Sequence, residues 1–270
     1  MEGFNIDILT ILLIPFIGTT IGAAFVFLLR DTMSDRLQKA LLGFASGVMV
    51  AAAIWSLLIP AMEMSAQSMA GEMVSKWKII APCVIGFLLG MAFLLAIDEL
   101  TPHLHIGKED PEGPRTKLSR TTMLTFAVTI HNIPEGMATG VVIAGAMQGN
   151  IGISIAAATA TALGIAIQNI PEGAIISLPL RAAGNSKRKS FSLGFLSGIV
   201  EPIAALLVIF LAEILSATLP FLLSFAAGAM LYVVIEELIP ATAEGKHSNL
   251  STIGFAIGFA LMMVLDVVLA

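Results

Sequence analysis

His131-Asn132-Ile133-Pro134-Glu135-Gly136 returns 37 residues later as Gln168-Asn169-Ile170-Pro171-Glu172-Gly173. Both copies lie inside long apolar runs, where an ionisable side chain is costly and marks a functional site by default. Residues three and four apart share a helix face. His131 and Asn132 therefore stack over Glu135, and Gln168 and Asn169 over Glu172. Each copy sets nitrogen or oxygen donors one turn, roughly 5–6 Å, from a carboxylate. Each also holds a proline, which removes a backbone hydrogen bond and crowds the carbonyl four residues earlier, at Ile130 and Ile167. A freed carbonyl at membrane depth is tolerated only where it faces protein or a wet cavity. The pattern points to a cation site built from two helices.

The surrounding chain supplies the membrane. Of 270 residues, 57% are hydrophobic and 12% charged, with a mean hydropathy of +0.94; a soluble domain carries about a quarter charged residues. Apolar runs near twenty residues recur throughout, so the fold class is all-α and polytopic. The net charge of −5 says little about partners, because the sign that matters is local to each loop. No basic cluster with interleaved aromatics suggests nucleic acid. Cys83 is the single cysteine, has no internal disulfide partner, and reads as a small hydrophobe. The first apolar run follows Glu2 and Asp7 with no basic residue before it, so it is expected as a retained span rather than a cleaved signal.

Apolar length predicts eight helices, near 8–29, 41–62, 79–98, 121–147, 151–180, 190–212, 214–240 and 250–268. Lys and Arg then divide 12 to one side and 2 to the other, and the positive-inside rule puts both termini outside. A fainter repeat accompanies the first. Ile85-Gly86-Phe87, Gly90 and Asp98 align with Ile253-Gly254-Phe255, Gly258 and Asp266. Leu42, Phe44, Ala45, Gly47 and Met49 align with Leu223, Phe225, Ala226, Gly228 and Met230, and Leu-Ile-Pro closes both stretches, at 58–60 and 238–240. Helices 1–3 thus correspond to 6–8, and 4 to 5. An odd number of crossings separates the copies, so the expectation is a 3+2+3 inverted repeat, the layout of secondary transporters.

The sixth run adds Glu201 beside Pro202. The candidate metal ligands are then Glu135, Glu172 and Glu201 with His131, Asn132, Gln168 and Asn169. Imidazole with carboxylate and carbonyl oxygens suits Zn²⁺, Fe²⁺ and Mn²⁺, whereas Cu(I) would want sulfur. Glu135 and Glu172, one per helix, are placed to bridge two ions. His131 and Gln168 serve one ion; Asn132, Asn169 and Glu201 serve the other. Mere glue between helices does not account for them. An interhelical hydrogen bond is worth about 0.6 kcal/mol on average, against about 3 kcal/mol to insert a charged side chain.

These motifs, with Glu201, resemble the ZIP (Zrt/Irt-like) family of divalent-metal transporters, and in particular its prokaryotic GufA-like branch. The resemblance covers essentially the whole chain, so 1–270 is expected to be one transmembrane transporter domain with eight spans. It implies passage of zinc, or of iron, manganese or cadmium, toward the cytoplasm through a two-metal centre, by an elevator-like or rocking movement. Many members carry His or Asp where this chain has Gln168 and Asn169, and these amides hold metal more weakly. The expected partners are divalent ions and the lipid bilayer, with no prosthetic group and a homodimer left open; the expected location is a bacterial inner membrane.

Smaller features are read alongside. Asp98, Glu99, His103 and His105, followed by Glu109, Asp110 and Glu112, could receive metal leaving the pore or be a solvated loop. Glu236 and Glu237 could line an exit or face water, and His247 reads as plain loop. The 14 methionines read as core filling, and Trp55 and Trp77 as interfacial or packing residues. Two other functions fit the sequence less well. An intramembrane metallohydrolase needs three fixed ligands, an open position and a general base, and no His-Glu-x-x-His occurs. A proton- or cation-coupled carrier of another substrate would also use carboxylates in broken helices, but the His and paired amides favour a transition metal.

Overall fold

The computed structural model describes residues 6–28, 33–68, 75–104, 111–149, 153–214, 219–243 and 248–269. They form eight long helices: α1 (Ile6–Leu28), α2 (Asp35–Ser68), α3 (Lys76–Leu100), α4 (Arg120–Met147), α5 (Ile155–Ala182), α6 (Lys187–Gly198 continuing as Val200–Ile214), α7 (Leu219–Ala243) and α8 (Leu250–Leu269). Seven are long and apolar enough to cross a membrane. The exception is α4, which has the length but carries His131, Asn132 and Glu135 among its apolar residues.

Helix ends differ from the apolar limits for a physical reason. Apolar length reports bilayer thickness, while the helix runs on to its cap. Ser34, Ser119, Ser154 and Ser186 each accept a hydrogen bond from the backbone N–H three residues on, satisfying a donor that the first turn leaves open. Thus α2 begins at Asp35 rather than near 41, and α6 at Lys187 rather than 190.

Two helices contain a wider turn. In α2 residues Ala53–Leu58 are π-helical, and in α7 residues Val234–Leu238 are. The N–H of Ile59 bonds the carbonyl of Ile54, and that of Ile239 bonds Val234, five residues back. Each π turn stands directly before an Ile-Pro step. Proline has no N–H for the carbonyl four residues back and its ring crowds that carbonyl, and a π turn absorbs the displaced bond. In α6 the helix lapses at Ile199 and resumes at Val200. Pro202 likewise cannot bond Gly198, which leaves Glu201 in a first turn.

The helices pack chiefly in four pairs: α1 with α5, α2 with α8, α3 with α7 and α4 with α6. Without a hydrophobic drive between helices in lipid, small residues that let backbones touch decide such pairs. A Cβ on Gly18 would lie 2.3 Å from the Ala166 carbonyl oxygen, and one on Gly22 2.1 Å from that of Ile170. Gly43 and Gly47 meet Ser251 and Phe255 in the same way, Gly86 and Gly90 meet Phe221 and Phe225, and Gly136 and Gly140 meet Glu201 and Ala205. A Gly-x-x-x-Gly step matched by a four-residue step in the partner means that each pair runs parallel. Exchanging α1, α2, α3 and α4 with α6, α7, α8 and α5 maps the four pairs onto one another. Outward faces of α3 and α8 carry exposed Leu, Ile, Val and Phe, the surface a lipid phase would cover. Trp55 packs edge-on against Phe259 at 5.0 Å, whereas Trp77 is 80% exposed at the start of α3.

Gly22→Ala places a methyl group against the Ile170 carbonyl. It is expected to destabilise the protein by about 1–3 kcal/mol, read as a lowered unfolding temperature in detergent. An unchanged melt would mean that α1 and α5 do not meet by their backbones.

Candidate metal centre

Both motifs occupy the middle of continuous helices, α4 through Pro134 and α5 through Pro171. The glycine closing each motif is the contact residue. A Cβ on Gly136 would lie 2.3 Å from the carbonyl oxygen of Glu201 on α6, and a Cβ on Gly173 2.3 Å from that of Thr19 on α1. Four helices are therefore drawn together around the two glutamates.

Inside this contact the polar side chains sort into two groups. Gln168 donates its amide nitrogen to Glu135 Oε1 at 2.8 Å, joining α5 to α4. Asn169 donates to Glu201 Oε2 at 3.0 Å and to Thr19 Oγ1 at 3.1 Å, and the Thr19 hydroxyl donates to Glu201 Oε1 at 2.5 Å. Gln168, Asn169, Glu135 and Glu201 are all buried. Asn132 is buried too, but its amide nitrogen turns to the carbonyl of Ser197 at 3.0 Å. Its oxygen is the atom with which it could reach an ion.

Glu172 is half-buried, and its carboxyl adjoins that of Glu135. It also lines a pocket with His131, Val128, Ile175, Ile176 and, from α7, Glu237. Within the π turn of α7, Glu237 is buried, 3% exposed, while Glu236 faces outward. Sequence periodicity could not assign these roles, because a π turn shifts the helical phase by a residue.

The donor set suits a borderline divalent cation. Glu135 Oε2, Gln168 Oε1 and Asn169 Oδ1 are buried and accept no hydrogen bond among the described residues. In each amide the nitrogen is spent on a carboxylate while the oxygen is left for another partner, and a buried acceptor left unmatched is costly. Carboxylate and amide oxygens beside an imidazole suit Zn²⁺, Fe²⁺ and Mn²⁺. Among the described residues, no three His, Cys, Asp or Glu side chains are gathered as a ready cluster; in this conformation amides stand between Glu135 and Glu201.

The features at the α3 end resolve differently. Asp98 is buried and accepts from the Tyr232 hydroxyl at 2.9 Å, while His103 Nε2 lies 3.0 Å from its other oxygen. His103 Nδ1 faces the Thr101 carbonyl at 2.7 Å, and its backbone pairs with Glu112. Asp98 and His103 thus tie the start of the α3–α4 connection to α7. Glu99 and Glu112 are exposed. His105, Glu109, Asp110 and His247 lie outside the described residues. Cys83 is buried. Thr19 is the participant that the sequence did not single out, since one threonine in an apolar helix carries no signal of its own.

Fold and site together define a polytopic all-α membrane protein with a polar, carboxylate-rich centre enclosed by helices. A model of the family described as ZIP zinc transporter matches residues 109–266. The chain is 38% identical to the zinc transporter GufA of Myxococcus xanthus, over 92% of this chain and 94% of that protein. It is 34% identical to the zinc transporter ZIP11 of Homo sapiens, over 92% and 93%, and 36% identical to the zinc transporter ZIPB of Bordetella bronchiseptica, over 94% and 78%. The chain belongs to the ZIP family.

If the two motifs share one cavity, the double variant His131→Cys with Gln168→Cys should hold Cd²⁺ between its thiols. Cd²⁺ should then slow maleimide labelling of both positions by at least about tenfold, the discrimination of roughly 1.4 kcal/mol of binding. Labelling indifferent to Cd²⁺ would separate the motifs.

Proposed function

We propose that this protein carries zinc, and similar divalent ions such as iron, manganese and cadmium, across the membrane toward the cytoplasm through a two-metal centre. The observation that carries the reading is the division of the buried carboxylates. Glu135 is paired with Gln168, and Glu201 with Asn169, each amide oxygen lacking a hydrogen-bond donor among the described residues. One ion would take His131 and Gln168, the other Asn132, Asn169 and Glu201, with Glu135 and Glu172 bridging. The names of the relatives support zinc as the ion. The chain is a transport protein, not an enzyme.

The architecture proposed for this work is one transmembrane unit, 1–270, with α4 as an eighth crossing and an inverted 3+2+3 repeat. The four parallel pairs, interchanged by the repeat's correspondence, support it, as do the π turns at matching places in α2 and α7. Both termini are assigned to the outside by the 12-to-2 division of Lys and Arg. Glu237, buried beside Glu172 and His131, lies on the route an ion would leave by.

The test is zinc flux into liposomes with purified protein. Glu135→Gln and Glu172→Gln each keep the shape and remove a bridging charge, so each should cut the initial rate at least about 100-fold, the loss of roughly 2.7 kcal/mol. Folding is followed separately by the elution profile in detergent. Near-normal flux from either variant would remove the bridge, and absence of any zinc flux in the unaltered protein would remove the function.

A further inference from the structure

Thr19 behaves unlike five other helical threonines. Thr10, Thr129, Thr139, Thr159 and Thr161 each donate to the carbonyl four residues back, the local bond such side chains usually make. The Thr19 hydroxyl leaves its own helix and donates to Glu201 Oε1, 182 residues away in sequence. It accepts from Asn169 Nδ2, and the same nitrogen bonds Glu201 Oε2. Hydroxyl, amide and carboxylate form a closed triangle from α1, α5 and α6, with Thr19 and Glu201 each 1% exposed.

Packing aims the hydroxyl. The Thr19 methyl group lies where a Cβ on Gly198 would stand 3.0 Å away, and Phe16 crowds the same spot at 3.1 Å. Swinging Oγ1 toward its own helix would move that methyl group out of its slot. The backbone is held as well, because Gly173 touches the Thr19 carbonyl as Gly136 touches that of Glu201. Thr19 therefore occupies in the α1–α5 contact the position that Glu201 occupies in the α4–α6 contact.

We infer that Thr19 is a positioning residue of the metal centre: it fixes Glu201 and Asn169 as a matched pair of ligands without touching the ion itself. The inference rests on the proposed reading of Glu201 as a ligand. One donor on each carboxylate oxygen sets the plane of the carboxyl group, and the anchored amide nitrogen sets the direction of Asn169 Oδ1. Partners of this kind hold ligands in orientation, and their loss typically costs about 10- to 100-fold in metal affinity or activity.

The test measures zinc uptake against zinc concentration in liposomes, and equilibrium zinc binding in detergent, with the full chain. Thr19→Val keeps the shape and removes the hydroxyl; Thr19→Ser keeps the hydroxyl. Thr19→Val should raise the half-saturating zinc concentration about tenfold or more, and Thr19→Ser should restore most of that loss. In a Glu201→Gln background, Thr19→Val should add less than about twofold, because coupled residues are not additive. Should Thr19→Val fail to reach the membrane, Thr19→Ala replaces it with the same expectation. Half-saturation unchanged in the hydroxyl-free variant, or a full-sized effect persisting with Glu201→Gln, would overturn the inference while leaving Glu201 a ligand. A Glu201→Gln protein with unaltered uptake and binding would overturn the assignment of Glu201 itself, and Thr19 with it.

Discussion

Backbone contact between helices is the constraint on which the rest depends. Lipid chains are as apolar as leucine, so helices in a membrane gain little by hiding apolar side chains from it, and close approach of small residues takes over. Here the approach occurs at glycines, and two of them end the repeated motifs. Gly136 seats α4 on α6 at Glu201, and Gly173 seats α5 on α1 at Thr19. Any side chain at either place would push apart the helices that carry the polar groups. The final glycine of Asn-Ile-Pro-Glu-Gly is steric in purpose, and the chemistry one residue earlier depends on it.

The second constraint is how the carboxylates are held. Neutral donors, the Gln168 and Asn169 amides and the Thr19 hydroxyl, bind Glu135 and Glu201. A lysine or arginine in their place would neutralise the carboxylate permanently and compete with any arriving cation. Neutral donors orient the oxygens without adding a positive charge, and each amide keeps its own oxygen without a donor among the described residues. Gln168 and Asn169 thus hold one carboxylate each through the amide nitrogen.

Much of this was legible in the sequence, for identifiable reasons. A carboxylate repeated within apolar runs is rare, so Glu135, Glu172 and their neighbours stood out. Helix ends were less legible, because serine caps such as Ser34 and Ser186, rather than apolar length, set where a helix begins. The inward turn of Glu237 and the outward turn of Glu236 could not be read, since the π turn resets the phase only once the helix is built. The Gly-x-x-x-Gly steps at 18–22, 43–47, 86–90 and 136–140 are plain in the sequence, but not the helix each one meets. Thr19 was invisible because nothing local distinguishes it; its partner lies on another helix.

The modest hydropathy of α4 reaches beyond the finished fold, into how the protein is made. The other seven helices are long and apolar enough to cross a membrane. A helix bearing His131, Asn132 and Glu135 gains far less by doing so, since each polar group must find a partner or remain wet. The groups that receive them, Gln168 on α5 and the Ser197 carbonyl on α6, are synthesised later. The burial of Glu135 and Asn132 on α4 is thus tied to α5 and α6, which supply their partners.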